Sequence, residues 1–393
     1  MTKKLESNVT PFGGIHFLHK QLVSKGIIQF IDDVNYIREH TLEQLGHIQV
    51  PSADTILRGD VELTEPCDII VSDSGVENKI NINPLMNRFL LHTALKFEQI
   101  DASRDDMTYD FDHQFIPAEK YDAKFSYKNK RGYFPGVATI DNVPVYVEGR
   151  NGNCNVKTEQ LATHKRILGM LHSEGIMQKR ARMDNGSYLK AVTDHFQEEG
   201  ILFFIRAPQS ETLLEKAAGA GNWHPCTINF QDMEAASFSY LFGGHEHRVV
   251  AYRVPNKTGQ ISAFTGDAKK YMFIITNDWE MTEKDVIEFY NKRGDSERVF
   301  DIQNNDFNWK SMPHSFLEEN TVFLIIMAVA YVIYRWLVGI FASVAFGLAP
   351  TSRLKKFIFR LVNIVAKTTR SGRRTILHLA TDNQQLIDFA DAP

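Results

Sequence analysis

The sequence predicts an α/β protein: a mixed sheet flanked by helices, interrupted by a β-rich insertion and preceded by a helical region. Three observations carry this. Residues 107–207 read as strand, strand, strand, helix, strand, helix, strand, the order of a mixed sheet with helices on its faces. Residues 208–278 lack helical periodicity but hold short β-like runs. In the first hundred residues, apolar side chains recur at near-helical spacing.

At 393 residues the chain exceeds one compact core. The reading divides it into a helical region over 1–100, a core over 101–207 and 279–348, the β-rich insertion over 208–278 and a basic region over 349–393. The short helices and tight turns of 1–100 suit either a helix-turn-helix DNA-binding region or a small helical packing domain. With 43% apolar and 23% charged residues, a disordered or collagen-like chain is excluded. The formal net charge of −4 argues against a uniformly basic surface, so any polyanion must be met by local patches among the 44 Lys and Arg. Cys67, Cys154 and Cys226 stand far apart, without a Cys-x-x-Cys pair, and imply neither a disulfide framework nor a zinc knuckle. The N-terminal MTKKLESNVTPFGG lacks a signal peptide's apolar core, so a cytoplasmic location is expected. Residues 322–348 are apolar and long enough for a bilayer, but Arg335 at their midpoint favours a buried helix, and no membrane partner is expected.

Local signals place the elements. Ile15, Leu18, Leu22, Ile27, Phe30, Ile31 and Val34 mark a first helix; Ser52 caps a second, SADTILRGDVEL; Asn83-Pro84 opens a third. MTYDFDHQF alternates as a strand, and GYFPGVATI and VPVYVEGR flank Asp141-Asn142, a hairpin turn pair. TEQLATHKRILGMLHSEG is helical, KRARMD and ILFFIRA are strands, and a helix lies near GSYLKAVTDHFQEEG. CTINF, FSYLF, HRVVAYRV and YMFIITN form the β-rich run, and GGHEH reads as a loop or strand pair, not a helical zinc motif, because its histidines are two apart. Thr282 to Asp285 resembles a capping box opening a helix through VIEFYNKRGDSERVF.

Carboxylates fall at the ends of these elements. Asp110 and Asp112 lie two apart on one strand and share a face. Asp184 follows the strand KRARM at its carboxyl end, where open α/β sheets gather ligands. Glu297 sits four residues after Arg293 and seven after Tyr290, on one helix face. Hard cations such as Mg2+ take oxygen ligands and leave room for water and phosphate, so Asp112, Asp184 and Glu297 are the candidate metal ligands.

Two basic stretches answer the net charge. Residues 120–134 interleave Lys120, Lys124, Lys128, Lys130 and Arg131 with Tyr121, Phe125, Tyr127, Tyr133 and Phe134, a pattern of phosphate contact with aromatic stacking, or of a solvated hairpin with buried rings. Residues 351–380 carry Arg353, Lys355, Lys356, Arg360, Lys367, Arg370, Arg373 and Arg374 with no acid, a phosphate-tracking or membrane-surface pattern. Trp309, beside Lys310, reads as a DNA wedge near the Glu297 helix or as core.

YDFDHQF around Asp112, PVYVEGRNGN, RMDNGSY around Asp184, FYNKRGDSERVFDIQNNDFNW around Glu297 and PSADTILR near residue 51 together resemble the DDE transposases of bacterial insertion sequences. The branch resembled carries a Tyr-x-x-Arg-x-x-x-Glu helix, and the likeness runs from about residue 50 to 375 with acid spacings of 72 and 113 residues. The resemblance implies a ribonuclease H-like core and a nucleoid-associated enzyme that cleaves DNA by hydrolysis and joins it by 3′-hydroxyl attack. It implies Mg2+, or Mn2+ as a substitute, as two ions on Asp112, Asp184 and Glu297, with Tyr290 and Arg293 at the terminal phosphate. Its partners would be double-stranded transposon ends and target DNA, held by a homodimer. Two departures stand out. Asn304 occupies the branch's usual lysine position, with Lys310 the next lysine, and His113-Gln114 follow Asp112, which leaves Asp110 a rival first ligand.

Overall fold

The computed structural model describes residues 9–10, 15–27, 53–72, 75–256, 258–259, 261, 264–371 and 374–391. The expected first helix beyond Ile27, the Ser52 cap and Arg373 lie outside them. Helix α1 spans Ile15–Ser24 and α2 spans Ala53–Glu62. In α3 (Pro84–Lys96), the Asn83 side chain accepts from the Met86 N–H at 3.0 Å and Pro84 opens the first turn, as their types dictate.

The N-terminal region is not helical throughout. Strands β1 (Cys67–Val71) and β2 (Glu77–Asn81) form an antiparallel hairpin that joins the main sheet. Their signal is faint because β1 is an edge strand, with Ile69 and Val71 facing solvent rather than alternating into a core.

The sheet continues with β3 (Thr108–His113), β4 (Gly136–Ile140), β5 (Val143–Arg150), β6 (Arg180–Met183) and β7 (Leu202–Ala207). Asp141 and Asn142 join β4 to β5 with φ of 48° and 66°, both positive as a type I′ turn requires. Helix α4 (Gln160–Ser173) precedes β6, and α5 (Lys190–Glu198) precedes β7. Strand β3 pairs antiparallel with β4 and parallel with β6, and β6 pairs parallel with β7.

The β-rich segment does not pack as a separate sheet. Strands β8 (His224–Ile228), β9 (Gln231–Phe242), β10 (His245–Pro255) and β11 (Lys269–Thr276) extend the same one through an antiparallel β7–β11 pairing. Among the described residues the order is β8-β9-β10-β11-β7-β6-β3-β4-β5-β2-β1. The segment also holds a helix that periodicity does not reveal, α6 (Glu211–Gly219), capped by Ser210. It is nine residues long and buries only Leu213, Leu214 and Ala217.

Thr282 caps α7 (Glu283–Asn291) by accepting from the Asp285 N–H. The expected single helix is then interrupted by a 3-10 turn, Lys292–Gly294, before α8 (Asp295–Asp306). Helix α9 (Leu317–Phe341) has the length and apolarity to cross a membrane, yet it packs on α3 and β5. Leu324, Ile325, Ala328 and Val332 are buried there. Only a glycine at 149 allows that approach, since a Cβ would lie 2.0 Å from Thr321 Oγ1. Arg335 is satisfied within the protein: its guanidinium donates to the Asn142 carbonyl at 2.8 Å. At the C-terminal end, Ala366–Ser371 and Arg374–Leu379 pair as a hairpin, with Val9–Thr10 beside the first.

Candidate active site

Parallel pairing of β3 with β6 sets Asp110 opposite Arg182 and Phe111 opposite Met183. One residue further on, Asp112 and Asp184 lie at the adjacent carboxyl ends of the two central strands. Asp184 caps the short turn Asn185–Ser187, accepting from the Gly186 N–H at 2.8 Å. Asp112 accepts from its neighbour's N–H, His113, at 2.8 Å.

The rival acid has another role. Asp110 is buried, and the Arg182 guanidinium grips it through two bonds of 2.8 and 2.7 Å. Both oxygens are thereby engaged by a neighbouring cation, whereas Asp112 stands nearer the sheet's end.

Arg293 supplies the charge at that end. Its guanidinium meets Asp112 Oδ2 at 2.6 Å and interacts with Asp184. Burial raises the Asp112 carboxyl from 3.8 to about 6; Arg293 opposes the rise and the like charge of Asp184 adds to it. Burial raises Asp184 as well, against the Gly186 N–H and Arg293. For Arg293, burial disfavours the charge, but Asp112, Tyr290 and Asp184 overcome it and the pKa rises. Tyr290 is buried, with the Arg206 and Arg293 guanidiniums each 5.9 Å from its ring centroid.

Glu297 does not join this group. It is exposed on α8, and the side chain of that turn near Asp112 is Ser296, whose hydroxyl donates to the Arg293 carbonyl at 2.8 Å and lies 3.4 Å from Asp112 Oδ2. A 3-10 turn, in which i aligns with i+3 rather than i+4, interrupts the continuous helix on which Arg293 and Glu297 are expected to share a face. Among the described residues, no three His, Cys, Asp or Glu side chains are placed to share one ion. Two oxygen-only ligands nonetheless suit a hard divalent cation by their donor chemistry, with Arg293 as the pair's countercharge in this structure. The buried Thr139 hydroxyl, without a partner, lines the same small pocket as Asp110, Asp112 and Ser296.

The other expected contacts divide. Between β3 and β4 the chain leaves the sheet at the Asp112 end, and there Lys124, Lys128 and Lys130 are exposed with Tyr121, Phe125 and Tyr127. Tyr133 and Phe134 are buried at the root of this excursion, where Phe134 stacks on His113 with centroids 5.7 Å apart. Arg131 turns inward and donates to the Lys120 and Ala123 carbonyls. Trp309 is fully buried, its backbone N–H donating to the Gln303 carbonyl at 3.1 Å, so the ring is core and not a surface wedge. Lys310 is exposed, 2.9 Å from Asn305 Oδ1. Arg370 and Arg374 fall on the paired C-terminal strands, opposite Thr375 and Ser371. Arg353 is spent on Asp306 and Asp301.

Sequence reasoning missed Ser296, Arg182 and Arg206. Arg182 and Arg206 each left a trace, as a cation between buried apolar neighbours of a central strand, Ala181 and Met183 for the first, Ile205 and Ala207 for the second.

The family model "Transposase DDE domain group 1" matches residues 74–388, most of the chain. The chain belongs to the DDE transposase family. Members of that family generally use divalent metal ions. No curated protein matches this chain. Among solved structures it is similar to the cryo-EM structure of a piggyBac transposase synaptic complex with hairpin DNA, at 11% identity and a TM-score of 0.40. The match covers 65% of this chain and 51% of that one, so it spans about half the other's length.

Proposed function

We propose that this chain is the transposase of a bacterial insertion sequence, acting in the cytoplasm beside the nucleoid. It binds the element's terminal inverted repeats, cuts the DNA strands and joins their 3′ ends to target DNA. The observation that carries the proposal is the placement of Asp112 and Asp184 at adjacent carboxyl ends of β3 and β6. The order β5-β4-β3-β6-β7, antiparallel on one side and parallel on the other, supports a ribonuclease H-like core around them.

Asp112 and Asp184 would hold Mg2+ or Mn2+, with Glu297 as the third carboxylate of a two-ion site. Bound divalent ions supply Lewis acidity at phosphorus and a more acidic water. The protein's own groups do the rest. Burial keeps the two carboxylates poorly hydrated, which strengthens their hold on any cation. Arg293 exchanges its carboxylate partners for a phosphate of the DNA, two of whose oxygens offer a bidentate match for its guanidinium. Tyr290, packed between Arg206 and Arg293, fixes the approach of that guanidinium rather than reaching DNA from the surface. Glu297 reaches the site when α8 turns about the Lys292–Gly294 segment. Lys124, Lys128, Lys130 and Lys310 neutralise flanking phosphates, with Arg370, Arg373 and Arg374 on the C-terminal segment extending the track. Two ends must be held together, which a homodimer accomplishes; no membrane takes part.

A second reading keeps the DNA binding and drops the chemistry. The outward Glu297 and the Asn304 in the lysine position favour it. A nicking assay separates the two. Purified protein and Mg2+ or Mn2+ are added to a plasmid carrying this gene with its native flanking DNA. Nicking at the element's ends, abolished by Asp184→Ala and by Glu297→Ala, is the expected result. Binding without nicking by the wild type would establish the second reading.

A further inference from the structure

We infer that Arg182 and Asp110 form a positioning pair that docks the Tyr290–Arg293 segment onto the Asp112 strand. The inference rests on the proposed role of Asp112 and Arg293 and adds two residues to it.

Arg182 reaches in two directions at once. Nε and Nη2 hold the two oxygens of Asp110 at 2.8 and 2.7 Å, across adjacent strands in register. Nη1 donates to the Phe289 carbonyl at 3.1 Å, in the last turn of α7 and one residue before Tyr290. Its guanidinium also lies 5.0 Å from the Phe289 ring centroid, with Arg180 at 5.6 Å. Phe204 of β7 packs on that ring, 4.7 Å between centroids. Phe289 is therefore clamped by side chains from two central strands.

The arrangement is costly for a purely structural tie. Arg182 and Asp110 side chains are 5% and 2% exposed, and a buried ion pair stabilises little over well-packed apolar residues. What such a pair supplies is geometry, because a planar fork bonded at three points leaves little freedom. Here the fork joins the strand bearing Asp112 to the turn after which Arg293 must meet Asp112 at 2.6 Å. Asp110 is thus a second-strand anchor for Arg182, not an alternative metal ligand.

Arg182→Lys tests this, since lysine keeps the charge on Asp110 but cannot reach the Phe289 carbonyl as well. In the full-length protein without DNA, amide hydrogen exchange over residues 289–297 is expected to quicken at least tenfold, with β3 and β6 unchanged. In plasmid nicking with Mg2+, kcat is expected to fall at least tenfold while plasmid Kd stays within twofold. Exchange and kcat both equal to wild type would overturn the inference. Phe289→Leu, which leaves the ion pair intact, guards against a misfolded Arg182→Lys: it should also quicken exchange over 289–297, and unchanged exchange counts against the clamp. Asp110→Cys discriminates the ligand role, because rescue of its nicking by Mn2+ over Mg2+ would overturn the inference and no rescue supports it. The exchange measurement needs no DNA cleavage. A protein that never nicks would therefore refute the enzymatic reading while leaving the clamp testable.

Discussion

Asp112 is caught between burial and charge. Its carboxyl titrates at about 6 instead of 3.8, so the folded state holds the proton more tightly than the unfolded chain does. The sign follows directly: a raised carboxyl pKa costs stability as pH climbs from about 4 through 6, because the unfolded chain ionises freely and the folded one does not. A two-unit shift corresponds to a ceiling of about 3 kcal/mol. Asp112→Asn should therefore melt a few degrees above wild type at pH 7.5, with the gain vanishing near pH 4. A variant melting below wild type at pH 7.5 would mean that the Arg293 pair dominates. Trp309 belongs to the same scale. As a fully buried ring it should cost about 3–5 kcal/mol on Trp309→Ala in urea unfolding. The salt dependence of DNA binding should be untouched, because the side chain reaches no surface.

Elements with a local chemical cue were legible from sequence. Asp141-Asn142 specified the β4–β5 turn, Asn83-Pro84 the start of α3, and Thr282 the start of α7, each by its own backbone chemistry. Elements defined by long-range pairing were not. Strand β1 buries little, and α6 offers barely two turns of apolar spacing. Beyond the 3-10 turn at Lys292–Gly294, Ser296 is buried near Asp112 and Glu297 is exposed, which a straight-helix reading does not foresee. At this scale the lysine excursion yields its own prediction. Replacing Lys124, Lys128 and Lys130 together by Ala should flatten the slope of log Kd against log salt by about 2.7, at roughly 0.9 per phosphate contact on duplex DNA. Circular dichroism should stay unchanged, because all three side chains are exposed. An unaltered slope would place the DNA elsewhere.

At the scale of the whole molecule, one sheet carries both the carboxylate strands and the β-rich extension, and α9 closes its other side by packing on β5 and α3. Strand pairing thus fixes Asp112 beside Asp184 without help from distant segments, while Glu297 depends on a helix joined through a single turn. The paired acids were legible because each ends a central strand; the glutamate's outward position was not, since it depends on helical register. This asymmetry predicts a site that is half assembled in the free protein and completed with DNA. The most direct measurement is a structure of the full chain with Mn2+ and a duplex of the element's end, with Mn2+ located by anomalous scattering. The account predicts Mn2+ bound by Asp112, Asp184 and Glu297, at about 2.0–2.2 Å as for a small hard cation on oxygen, and Arg293 moved to a phosphate. Mn2+ bound elsewhere, with Arg293 still on Asp112, would contradict it.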